Sequence, residues 1–330
     1  MPIKITEQDG ERLIVIDHPA WYAKIVLTNN ANMICLRHIP SGLELLRTPL
    51  SLEELRRTPE RYGMPLLFPP GRIEGGCFRW NGQDYSFPLN SNDSNLHGFL
   101  LGRPWALAET RERDGELMVA MIYEHGKSQP NFAGFPHEFR LTLIYRFTAV
   151  GVIQKTGLTN LSHKPMPFGL GYHTAFRLPF GPYSIEAEQR CRVMVTTGDG
   201  RWEMSPERRV PTGRLLPLAA DERYNCGQAV KAILPGRLYP AVSQMPDGRK
   251  FRGSIIESPA DHARLIYEVS DEYHLWALWN DGGGKGFFCV EPLTWMSNAP
   301  NLNLPPETTG LRVLGSGSSR SIQASIQLIG

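Results

Sequence analysis

Apolar positions recurring with a period of two dominate this chain, and that period is the signature of strands with one buried face. Leu13-Ile14-Val15-Ile16, Lys24-Ile25-Val26-Leu27 and Leu117-Met118-Val119-Ala120-Met121-Ile122-Tyr123 are predicted as short strands. The alternation is clearest in Phe139-Arg140-Leu141-Thr142-Leu143-Ile144-Tyr145-Arg146-Phe147. Turn signals separate such runs at Asn81-Gly82, Pro246-Asp247-Gly248, Asp281-Gly282-Gly283-Gly284 and Ser316-Gly317-Ser318, at the spacing of antiparallel hairpins. Only Ser51-Leu52-Glu53-Glu54-Leu55-Arg56-Arg57 argues for a helix, with Ser51 as N-cap and a Glu at the third helical position. The alternating helical patterns of a βαβ fold are missing, and no long repeat period suggests a propeller or solenoid. The predicted fold is all-β, a large antiparallel β-sandwich with few short helices. No linker divides the chain, so residues 1–330 are expected to form a single domain.

Composition narrows the function classes. With 330 residues and 41% hydrophobic content the chain can bury a large core. Its 35 Lys and Arg against 33 Asp and Glu are scattered, so there is no basic stripe of the kind that neutralises nucleic-acid phosphates. Cys35, Cys77, Cys191, Cys226 and Cys289 stand far apart, are odd in number and form no CxxC pair, which disfavours a disulfide framework or a zinc clamp. A reducing cytoplasm fits that pattern. The opening Met1-Pro2-Ile3-Lys4-Ile5-Thr6-Glu7 lacks the design of a signal peptide, and no apolar stretch of about 18 residues suggests a membrane span.

Four segments carry candidate chemistry. Pro65-Leu66-Leu67-Phe68-Pro69-Pro70-Gly71-Arg72-Ile73 ends an apolar run in a rigid turn, where the Arg72 guanidinium could donate to sugar hydroxyls or simply close a surface turn. The polar loop Leu89–Phe99 delivers His97 just before Gly98, a residue that lets a backbone or ligand approach closely. Gly169-Leu170-Gly171-Tyr172-His173-Thr174-Ala175-Phe176 places His173 among aromatic and small residues, as a core histidine or a proton donor. In Gly286-Phe287-Phe288-Cys289-Val290-Glu291-Pro292-Leu293, Glu291 ends an apolar strand, and a carboxylate there is costly to bury unless it is paired or used. Trp276 and Trp279, three apart, could stack on sugar C–H faces or serve as core. There is no phosphate loop, GxSxG elbow or HExxH, and His97, His173 and Glu291 are too dispersed to form a metal-ligand signature.

Taken in order, these segments resemble the aldose 1-epimerase (galactose mutarotase-like) family. The likeness runs through Phe68 to Ile73, Gly76-Cys77-Phe78, Asn81-Gly82-Gln83-Asp84-Tyr85, His97-Gly98 and Pro104-Trp105. It continues through Phe135-Pro136, Asn160 with Met166-Pro167, Gly171-Tyr172-His173, Pro211-Thr212-Gly213, Val290-Glu291-Pro292 and Pro300-Asn301. The resemblance implies a galactose mutarotase-like sandwich that binds a monosaccharide in a groove across one sheet and uses neither metal nor cofactor. It implies Glu291 as general base, His173 as general acid, and His97 and Arg72 as holders of the hydroxyls and ring region.

One departure stands out. The family supplies a hydroxyl-binding Asp from a strand between the second His and the base, often beside an aromatic, and here the expected region offers only Asp247, in an apparent turn. Arg249, Lys250 and Arg252 bring positive charge beside it, so a phosphorylated aldose stays open as substrate. A non-catalytic sugar-binding or regulatory protein on the same fold is the main alternative, with a hydrolase or lyase behind it. Partners are expected to be an aldose and at most a second copy of the chain, with no nucleic acid and no membrane.

Overall fold

The computed structural model describes residues 2–233, 237–244 and 248–330. It is built from antiparallel strands, the largest sheet having nine in the order Ala106–Arg113, Glu116–His125, Phe139–Phe147, Val152–Asn160, Ser319–Ile329, Ala263–Val269, Gly253–Ser258, Arg192–Val195 and Gln228–Ala229. The period-two reading holds along the Phe139–Phe147 strand: Phe139, Leu141, Leu143, Tyr145 and Phe147 are buried, while Arg140 and Arg146 reach solvent. There they pair with Glu124 and Glu116 on the neighbouring strand, at 2.6 and 2.5 Å. Such exposed pairs add little stability, and burial of the alternate face supplies most of it.

A second, six-stranded sheet runs Arg237–Pro240, Leu275–Trp279, Phe287–Leu293, Gly171–Tyr172 and Leu66–Leu67, with Thr174–Arg177 also paired to Phe287–Leu293. Specific contacts join the two sheets. Thr174 Oγ1 lies 3.1 Å from the Tyr267 hydroxyl, the Phe176 and Tyr267 rings meet edge to face, and Trp276 Nε1 donates to the Thr196 carbonyl at 3.1 Å. The Tyr172 hydroxyl hydrogen-bonds Thr156 on the larger sheet. One contiguous cluster of buried apolar side chains, drawing members from Ile14 to Ile326, fills the space between. This is the large antiparallel sandwich expected from the strand pattern.

The Leu13–Ile16 and Lys24–Val26 runs lie in a four-stranded N-terminal sheet, Ile3–Gln8, Glu11–Asp17, Trp21–Val26 and Asn32–His38. Asn81-Gly82 closes the hairpin of Cys77–Trp80 and Gln83–Ser86. The expected helix spans Leu52–Arg57, and the Ser51 hydroxyl accepts the Glu54 amide at 3.1 Å. Glu54 turns to the Leu50 amide, at 2.8 Å, rather than back to that of the cap. Two short helices without a strong apolar period, Ile185–Arg190 and Pro306–Thr309, join it. Among the described residues no helix is long and apolar enough to cross a membrane.

Candidate active site

Strand parity builds the site. Successive side chains on a strand point to opposite faces. Tyr172, Thr174 and Trp276 reach the nine-stranded sheet. Alternation therefore sends His173, Ala277 and Trp279 to the other face. Glu291 pairs with Ala277 across the ladder and shares that face with Phe287 and Cys289, which pack with Ala175 and Trp279 in a small cluster apart from the main core. A cleft of about 240 Å³ opens on this face, lined by Arg72, His97, His173, Trp279 and Glu291.

At its floor His173 Nε2 lies 3.4 Å from Glu291 Oε1, with both side chains only 6% exposed. The His173 ring also meets His97, edge to face at 5.4 Å between centroids, and Trp279, at 5.6 Å. His97 is positioned by a close approach: Gly98 has φ +74, and a Cβ there would fall 1.8 Å from the Phe68 carbonyl oxygen, so only glycine fits. The Gly71 amide donates to His97 Nδ1 at 3.4 Å, which leaves the proton of the neutral ring on Nε2. Arg72 follows Gly71 on a short strand paired with Ser94–Leu96. Its amide donates to Ser297 Oγ at 2.8 Å, and its Nη1 donates to the Ser91 carbonyl and hydroxyl at 3.2 and 3.0 Å.

Burial drives both floor groups toward their neutral forms. It pushes the Glu291 carboxyl up to about 8. It pulls the His173 imidazole down to about 4, with the Arg61 and Arg47 charges adding to the effect. His97 is held well below the usual imidazole range by burial, then by His173 and Arg72. A protonated carboxyl beside a neutral imidazole and a carboxylate beside an imidazolium contain the same single proton. The pair therefore holds one mobile proton near neutral pH and can present either an acid or a base at each of its two ends.

Trp279 lies at the cleft wall under the Arg61 guanidinium, 5.4 Å from the ring centroid, whereas Trp276 is core. Asp247 lies outside the described residues. Lys250 and Arg252 pair with Asp271, at 3.7 and 3.4 Å, and neither lines the cleft. The cleft's positive charge comes instead from Arg61, Arg72, Arg209 and Arg237. Of these only Arg72 stands out in the sequence. Arg61 and Arg209 sit in polar turns, and Arg237 opens a four-residue strand, where a single arginine reads as surface. That strand lies between His173 and Glu291 in sequence, contributes Arg237 and Leu238 to the cleft and buries Tyr239 beside them. Among the described residues no three His, Cys, Asp or Glu side chains group as a metal-ligand set.

The antiparallel sandwich places the chain in a class, the galactose mutarotase-like proteins. Within that class the chain belongs to the aldose 1-epimerase family, whose profile matches residues 37–327. A galactose mutarotase-like protein of Clostridium acetobutylicum superposes with a TM-score of 0.93 at 30% identity, covering 99% of this chain and 98% of its own. The galactose 1-epimerase of Lactobacillus acidophilus shares the fold, with a TM-score of 0.73 at 13% identity and 99% of each chain covered. YihR, an uncharacterized protein of Escherichia coli K12, is 28% identical over 114 residues, which span 34% of each chain.

Proposed function

We propose that the chain is a cofactor-independent aldose 1-epimerase that interconverts the α and β anomers of a monosaccharide in a reducing compartment. The observation that carries this reading is the 3.4 Å pair of Glu291 and His173 at the cleft floor. Anomer exchange needs two opposed proton movements and no net redox change. Glu291 as carboxylate takes the proton of the C1 hydroxyl while His173 as imidazolium gives one to the ring oxygen. The C1–O5 bond breaks, C1 becomes an aldehyde carbon, and rotation about C1–C2 exposes its other face. Reclosure returns the ring-oxygen proton to His173, and Glu291 protonates the new C1 hydroxyl.

Before sugar binds, burial favours the uncharged tautomer of the pair. Sugar hydroxyls that donate to Glu291 stabilise its carboxylate, and the ring oxygen accepts from the imidazolium, so substrate binding drives the proton onto His173. His97 and Arg72 hold hydroxyls alongside, and Trp279 offers a wall for the sugar's C–H face. Exchange NMR or polarimetry on freshly dissolved α-anomers of several aldoses, neutral and charged, tests the reading. Acceleration over buffer is expected with at least one of them. Tight sugar binding without faster exchange would leave a sugar-binding protein and remove the enzyme.

A further inference from the structure

Four arginines line the cleft, but their charges are not balanced alike. Arg237 is held by Glu222 at 2.7 Å, and Arg61 stands 3.5 Å from Asp281 and 3.7 Å from Glu60. Arg72 and Arg209 have no carboxylate partner among the described residues. Arg72 spends one nitrogen on the two neutral acceptors of Ser91, which leaves Nε–H and the Nη2 hydrogens uncommitted. Arg209, with φ +56 in the turn between Gly200–Met204 and Pro211–Pro217, brings a second guanidinium to the same end of the cleft. Burial of Arg72, and after it the charge of Arg209, makes the protonated form of Arg72 harder to hold.

Two like charges converging on one cavity, one of them half-buried, are unfavourable unless an anion joins them. Among the described residues the carboxyls lining the cleft are Glu60, beside Arg61, and Glu291, which burial neutralises at rest. Arg72 follows Gly71, whose amide meets His97, and the Arg208–Glu74 contact at 3.5 Å sets the turn carrying Arg209 against the Arg72–Glu74 strand. Both guanidinium groups therefore lie on the His97 side of the cleft. We propose that the aldose handled here carries an oxyanion group, and that Arg72 and Arg209 bind it at this end of the cleft. The inference rests on the reading of the cleft as an aldose site. A phosphate, a sulfonate or a carboxylate offers the planar or tripod oxygens that two guanidinium forks match, and a neutral hydroxymethyl group does not.

Exchange NMR on glucose and its 6-phosphate, 6-sulfonate and 6-carboxylate counterparts tests this and identifies the oxyanion. At least one anionic sugar is expected to exceed glucose in kcat/KM by about 10–100-fold, the range expected for charge-assisted hydrogen bonds. That ratio should collapse toward one in Arg209→Gln, recover in part in Arg209→Lys, and persist in Arg208→Gln, whose side chain pairs with Glu74 at 3.5 Å and does not line the cleft. Raised salt should shrink it, since Arg209 is exposed. Equal kcat/KM for glucose and all three anionic sugars, or a preference unchanged in Arg209→Gln, overturns the proposal. Calorimetry on the same sugars separates it from the enzyme reading. Anion-selective binding that Arg209→Gln abolishes, with no exchange of any sugar, would keep this site and sink the epimerase. Unselective binding would sink the site whatever the exchange rates.

Discussion

Glu291 and His173 stand on adjoining segments in the interior of the six-stranded sheet, each backed by residues that reach the larger sheet. Arg72, Arg209 and Arg237 belong to the margin instead, on a short strand after a glycine turn, a hairpin turn and the opening of an outer strand. The inner pair is fixed by ladder register and burial, so its 3.4 Å spacing follows from the fold itself. The marginal arginines are fixed by local turns, which can change without disturbing a sheet. One framework can therefore keep its proton chemistry while the outer residues determine which sugar fits.

The comparison breaks most readily at the inner pair. Glu291→Gln and His173→Asn should each lower kcat by about 10²–10⁴-fold, as expected for loss of a positioned acid or base, while circular dichroism shows an intact fold. A smaller loss in both would mean that the pair is not the proton relay. Next comes the hinge between centre and margin. Gly98→Ala puts a methyl group against the Phe68 carbonyl at positive φ, and urea denaturation should register a loss of about 2–4 kcal/mol.

Two pH experiments sharpen the picture. The one-proton state of the pair dominates between the depressed His173 value of about 4 and the raised Glu291 value of about 8. The rate should therefore fall on both sides of that window, and a profile flat through pH 9 would contradict the pairing. For stability, the folded-state pKa of Glu291 lies above its unfolded value. Its contribution is full below the unfolded pKa and is lost as pH rises through about 8. Removing the ionisable group removes that loss, so the melting temperature of Glu291→Gln should gain on that of the native protein as pH rises from 5 to 8. The smallest effect is expected at the wall, where Trp279→Ala should raise KM by about 2–10-fold, the scale of an aromatic contact, with kcat nearly unchanged.

Much of the centre was legible in the sequence because it violates expectation there. A glutamate inside Phe287–Leu293 and a histidine between Tyr172 and Thr174 are polar groups on otherwise apolar strands, and burial demands a reason for each. Gly98 beside His97 announced a close approach, which the Phe68 carbonyl makes. Arg209 gave no such signal. In Pro206-Glu207-Arg208-Arg209 it reads as any solvated turn, and its neighbour Arg208 is one. The positive charge sought at Lys250 and Arg252 was equally plausible by composition, and only the fold shows it spent on Asp271. Helices Ile185–Arg190 and Pro306–Thr309 escaped notice because neither has the Ser-to-Glu capping pattern that marked the equally short Leu52–Arg57.

The antiparallel pairing of Ala277 with Glu291 makes the proposed activity a matter of odd and even. If Phe287–Leu293 slid by a single residue against its neighbour, Val290 or Pro292 would look out at the sugar and the carboxyl would be driven in among the aromatic residues between the sheets. Such a protein would keep its outline and nearly all its hydrogen bonds, yet it would be inert and unstable together. Selection for the proposed catalysis would thus also be selection against misregistered folding.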